Sequence, residues 1–144
     1  MKDKLLSKQG WVILLICIIS FFINNRVVVP DIMEARNMVT AREMVHDGNW
    51  LVPTMNGDLR LEKPPLPTWL TAVAEMISPD NLALQRAMAG FAAILLVAFF
   101  YLTAVQVMRN KRYAFISTIL LCTCYNIILM GRTASWDIYC HAFM

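Results

Sequence analysis

The chain reads as an all-α integral membrane protein, a multi-span helical bundle with an outer-face juxtamembrane helical loop between its first two spans. Three observations predict this. Apolar residues make up 58% of the 144 positions and mean hydropathy is +0.54, more apolar than a soluble globular domain. The windows 11–29, 87–105 and 113–130 each reach the roughly 17–25 apolar residues that a helix needs to cross a bilayer. Short basic clusters (Lys2, Lys4 and Lys8; Arg109, Lys111 and Arg112) flank the first span and join the second to the third. Short basic loops stay in the cytoplasm, which gives a cytoplasmic N-terminus and an outer face for residues 30–81.

Each element follows in order. The first span carries a basic start, but no small-x-small cleavage site precedes Pro30, so a retained anchor is expected rather than a signal peptide. Residues 31–47 predict a helix: Asp31 at the N-cap and Glu34 three residues on resemble a capping box, and Gly48 supplies the stop. Its apolar side is expected to comprise Ala35, Met38, Val39, Ala41 and Val45, with Arg36, Asn37, Thr40, Glu43 and Asp47 opposite. Asn56-Gly57 marks a turn. Trp50 and Trp69 suit the headgroup level of an interface. Pro64, Pro65 and Pro67 are expected to bar a regular helix until residues 68–77 form a short one. The second and third spans follow, and a fourth begins at about residue 135. The chain thus reads as the N-terminal part of one longer membrane domain.

Charge placement narrows the chemistry. Of ten acids, eight (Asp31, Glu34, Glu43, Asp47, Asp58, Glu62, Glu75, Asp80) lie in the outer loop, and Asp137 follows the third span on the same side. The net charge of +3 is small, and no nucleic-acid partner is expected. Cys17, Cys122, Cys124 and Cys140 sit in apolar windows without metal or redox spacing and are expected to pack. Glu62-Lys63 ahead of the prolines is either an exposed ion pair of little energetic worth or a rigidly held cation and carboxylate for a lipid phosphate and a divalent metal. Asp31 and Glu34 suit capping as well as chemistry. Arg132 could snorkel and Arg86 could anchor at the interface. Asp137 lies where ionisable groups are costly and tend to be functional.

Glu34-Ala35-Arg36, Ala41-Arg42-Glu43-Met44, Gly48-Asn49-Trp50, Pro53, Asn56-Gly57, Glu62-Lys63-Pro64-Pro65-Leu66 and Trp69 occur in an order, with Gly131-Arg132 and Asp137 after them, that resembles one enzyme group. It is the GT-C fold polyprenyl-phosphate-sugar-dependent glycosyltransferases. The likeness is greatest to the lipid A aminoarabinose transferase branch, with protein O-mannosyltransferases as relatives. The resemblance implies inverting transfer of a sugar from a polyprenyl-phosphate donor to a lipid A-like glycolipid, a glycan or a protein, at the outer face of a bacterial inner membrane. Carried over, it makes Asp31, Glu34 and Asp137 the catalytic acids. Lys63, Arg36 and Arg132 become substrate-binding cations, and Glu62 a ligand of a divalent metal whose completing histidine lies beyond Met144. A segment of this size is expected to be inactive alone. The group's usual pattern is Asp-Glu-x-Arg, and Met33 stands here at the Asp position. Asp31 or Glu34 takes that role, or it is lost. The competing class is a non-enzymatic membrane protein, a transporter segment or a scaffold subunit, which would not need Lys63 and the acids to converge.

Overall fold

The computed structural model describes residues 8–144, so Lys2 and Lys4 lie outside the described residues. Seven helices and one minimal hairpin follow in order. They are α1 (Lys8–Phe22), α2 (Ile32–Asp47), β1 (Thr54–Met55), β2 (Asp58–Leu59), α3 (Pro65–Ile77), α4 (Leu82–Met108), α5 (Lys111–Thr123), α6 (Tyr125–Gly131) and α7 (Asp137–Phe143).

The axis of the bundle is α4. Its 27 residues with a hydropathy of 2.3 make it long and apolar enough to span a bilayer. Because it is apolar all round, periodicity does not reveal its buried face. Small residues do: Ala89, Ala92, Ala93 and Ala104 are buried, whereas Phe91, Phe99 and Leu102 are exposed. Small side chains let neighbouring backbones approach, which is how helices pack when lipid competes for apolar contact. The stripe Ile13, Cys17, Phe21 of α1 closes against this face together with Cys122, Ile138 and Tyr139. The sulfurs of Cys17 and Cys122 lie 3.7 Å apart in the core, as expected of packing residues, whereas Cys124 and Cys140, also expected to pack, are exposed.

Two expected spans differ from the structure. The first helix stops at Phe22 rather than Val29. Asn24 adopts a left-handed φ of 57°, which asparagine tolerates better than most residues. The carbonyls freed there are taken by Arg132, which donates to Ile23, and by Arg86, which donates to Asn25. The third span is broken at Cys124, and α5 and α6 meet at 63°. The Thr123 hydroxyl bonds back to the carbonyls of Ile119 and Leu120, a competition that bends helices. Gly131 ends α6 in close contact with α1 and α4: a Cβ there would lie 2.7 Å from Phe21 Cδ1 and 2.9 Å from the Ala93 Cβ.

The 30–81 segment folds as α2 packed on α3, with Ala41, Met44 and Ala72 at the contact and Trp50 and Trp69 at its edge. The Trp69 indole N–H donates to the Trp50 carbonyl at 2.8 Å. The face of α2 turned inward is not the expected one, since Glu34, Asn37 and Thr40 are buried with Ala41 and Met44. Hydrogen bonding decides this: each of those three side chains finds a partner within the fold, so burial costs them little. The prolines also behave differently from expectation. Pro64 is the N-cap of α3 and Pro65 its first residue, where the missing N–H costs nothing and the fixed φ suits a helix. Asn56 (φ 55°) and Gly57 (φ 84°) form the turn between β1 and β2, a small departure from an all-α chain. The carboxylate of Glu43 holds this hairpin, accepting from the Thr54 hydroxyl at 2.8 Å and the Gly57 N–H at 3.4 Å.

Candidate functional site

Asp31 caps α2, its carboxylate accepting from the Glu34 N–H at 2.7 Å, and remains exposed. The reciprocal half of a capping box is absent because Glu34 is used elsewhere. Its two oxygens accept from Arg86 Nε and Nη2 at 2.7 Å each, and Oε1 also accepts from the Ala134 N–H at 2.9 Å. Both side chains are closed to solvent, Arg86 at 1% and Glu34 at 0% exposure. Arg86 is therefore no interfacial anchor; it is the buried counterion of Glu34. Such a pair survives in a low-dielectric interior only with near-ideal geometry and its remaining groups satisfied, and the fork meets both conditions.

Ala134 is also held through its carbonyl, in the next peptide group. Asn37 Nδ2 donates to the Ala134 carbonyl at 2.8 Å and to Thr71 Oγ1 at 3.0 Å, while Asn37 Oδ1 accepts from the Thr68 hydroxyl at 2.8 Å. The turn joining α6 to α7 is thus pinned at one residue by α2 from both edges. Two residues later Trp136 is buried, at 5% exposure, and its ring lies under two cations. The Arg60 guanidinium carbon is 5.1 Å from the ring centroid and Lys63 Nζ is 5.4 Å from it, both within cation–π range. Arg60 also donates at 2.7 Å to the Arg36 carbonyl and at 2.7 Å to the Thr40 hydroxyl. Burial and the neighbouring Arg36 pull its pKa below the usual guanidinium value, with Glu62 opposing them.

Thr40, Pro53, Arg60, Lys63, Thr68 and Trp136 enclose a gap of about 10 Å³. Beside it, with Arg60 as the shared wall, lies a cleft of 220 Å³ bordered by Arg36, Asn56, Asp58, Leu59 and Glu62. The structure therefore gathers Arg36, Glu62 and Lys63 around Arg60, and sets Asp137, exposed at the start of α7, next in sequence to the Trp136 floor. Arg132 is turned to the end of α1 instead. Arg60, Trp136, Asn37 and Arg86 were not legible as site residues in the sequence. The only signal was Arg60 lying three residues before Lys63.

Among the described residues no three His, Cys, Asp or Glu side chains gather, and Glu62 faces a cleft that it shares with two guanidinium groups.

Comparison with known proteins places this arrangement. A family model described as dolichyl-phosphate-mannose-protein mannosyltransferase matches residues 10–144. An undecaprenyl phosphate-alpha-4-amino-4-deoxy-L-arabinose arabinosyl transferase of Pseudomonas savastanoi is 34% identical over 92 residues, covering 64% of this chain and 17% of its own length. A protein of the same description from Shewanella sediminis is 31% identical over 108 residues, covering 75% of this chain and 19% of its own. The crystal structure of ArnT from Cupriavidus metallidurans bound to undecaprenyl phosphate superposes with a TM-score of 0.75 at 21% identity, over 92% of this chain and 25% of that one. The chain thus spans about a fifth of the length of these curated relatives, and it shares the fold of the matching part of the ArnT structure.

Proposed function

The chain belongs to the dolichyl-phosphate-mannose-protein mannosyltransferase family, and we propose that it forms the donor-binding end of an enzyme moving a sugar from a polyprenyl-phosphate carrier to an acceptor. The observation that carries this reading is the pairing of Lys63 and Arg60 over one buried indole, beside a polar cleft. Fixed cations in a partly dehydrated pocket suit a phosphate that gains charge as it leaves.

In the proposed reaction the acceptor oxygen attacks the anomeric carbon from the face opposite the phosphate, so configuration inverts. The bond from that carbon to the phosphate oxygen breaks, and its electron pair leaves with the polyprenyl phosphate. Lys63 and Arg60 balance the developing charge, with Arg36 across the cleft. The acceptor proton passes to a carboxylate, for which Asp31 and Asp137 are the exposed candidates. Glu34 acts through Arg86 and Ala134 rather than on substrate. The acceptor is a lipid A-like glycolipid, a glycan or a protein. The membrane is a bacterial inner membrane crossed several times, with the N-terminus cytoplasmic and the α2–α3 segment outside. Support for that topology comes from the placement of the basic clusters.

The test is binding of undecaprenyl phosphate by the full-length protein in nanodiscs. Lys63→Ala is expected to weaken binding about tenfold, near 1.4 kcal/mol. Unchanged affinity would overturn the reading and favour a scaffold role for the loop.

A further inference from the structure

Lys63 follows a loop and precedes a proline, on a side chain with four rotatable bonds, so nothing in its own segment fixes where its charge sits. A lysine at such a position loses rotamer freedom when it meets a ligand. Among the described residues, the only aromatic face given to it is that of Trp136. That ring cannot drift, because the turn carrying it is clamped. The Ala134 N–H is bound to Glu34, and the Ala134 carbonyl is bound to Asn37. Glu34 is locked in turn by the Arg86 fork, and Arg86 by the Asn25 carbonyl. Asn37 is locked by Thr68 and Thr71 of α3, the helix that begins two residues after Lys63. The chain of contacts is therefore closed: α3 fixes Asn37, Asn37 fixes the turn, and the turn fixes the indole against which Lys63 rests.

We propose that Trp136 is a positioning residue, a π platform that holds both the Lys63 ammonium and the Arg60 guanidinium against one ring for the phosphate of the donor. Asn37 and the Glu34–Arg86 pair aim that platform. This deepens the donor-binding reading and rests on it. Two cations held close together repel one another, and the negative face of one indole offsets part of that repulsion at both. The indole N–H has no partner among the described residues. The ring is thus held by its faces and by the backbone, with no hydrogen bond of its own.

The experiment measures undecaprenyl phosphate affinity of the full-length protein in nanodiscs with tryptophan, monofluoro- and trifluorotryptophan placed at position 136, and with Lys63→Ala beside them. Fluorine withdraws charge from the ring face while barely changing its shape, so a cation–π platform loses affinity stepwise. The full series and Trp136→Leu are expected to cost about tenfold, as one buried contact at Arg60 and one exposed contact at Lys63 together would. Asn37→Ala is expected to lower affinity without abolishing it, and fluorination in that background is expected to have a smaller effect because the ring is no longer aimed. Fluorination also strengthens the indole N–H as a donor. Affinity that rises along the series would assign the role to that N–H and overturn the platform. Flat affinity along the series, with Lys63→Ala still damaging, overturns the platform and leaves the donor reading standing. Flat affinity with Lys63→Ala harmless overturns both.

Discussion

Removing the charge of Glu34 is the perturbation that most sharply separates a structural from a catalytic acid. Glu34→Gln keeps the shape and one carbonyl-type oxygen, which can still accept from the Ala134 N–H. It leaves Arg86, at 1% exposure, without a counterion. Breaking a buried pair from one side costs about 3–5 kcal/mol, because the surviving charge is stranded. Glu34→Ala strands Arg86 and also orphans the Ala134 N–H, a further 1–3 kcal/mol or so. Set against a typical stability of about 5–15 kcal/mol, either change lowers the thermal midpoint clearly, and the alanine variant should express poorly. Arg86→Lys keeps the charge but loses the two-oxygen fork and the bond to Asn25, at about 1–3 kcal/mol. The assay is thermal unfolding of purified protein in detergent, followed by tryptophan fluorescence. The double variant Glu34→Gln with Arg86→Met should recover stability relative to Glu34→Gln alone, since no stranded charge remains. A Glu34→Gln protein that melts with the wild type yet fails to transfer sugar would refute the reasoning and return Glu34 to the catalytic acids.

Two further outcomes are expected. Gly131→Ala places a methyl group 2.7 Å from the Phe21 ring and 2.9 Å from the Ala93 Cβ. It should destabilise by about 1–3 kcal/mol, with partial recovery on adding Phe21→Leu; a melting point equal to wild type would contradict the close approach of α1, α4 and α6. Cys17 and Cys122, whose sulfurs are 3.7 Å apart in the core, should join on treatment with a membrane-permeant oxidant. Mass spectrometry would detect the link, and Cys17→Ser should abolish it. Linkage of Cys122 to Cys124 or Cys140 instead would contradict the pairing of α1 with α5.

The sequence by itself determined the local elements whose signals are chemical and short-range. Asp31 and Gly48 bracket α2 because a side-chain cap and a left-handed glycine need only their own neighbours. Asn56-Gly57 makes its turn for the same reason. The apolar windows announced α4 as a helix long enough to span a bilayer, and the ordered motifs pointed to the family. Tertiary structure decided everything that depends on partners distant in the chain. Hydrophobic periodicity placed Asn37 and Thr40 outside, but partners on α3 and at Arg60 drew them in. Glu34 read as half of a capping box or as a catalytic acid until Arg86, 52 residues away, closed on it. Trp136 had no mark in the sequence, because an indole becomes a platform only when a clamped turn sets it under two cations. A polar residue declares its type in the sequence, whereas the sign of its burial energy is set by whichever group the fold brings to it.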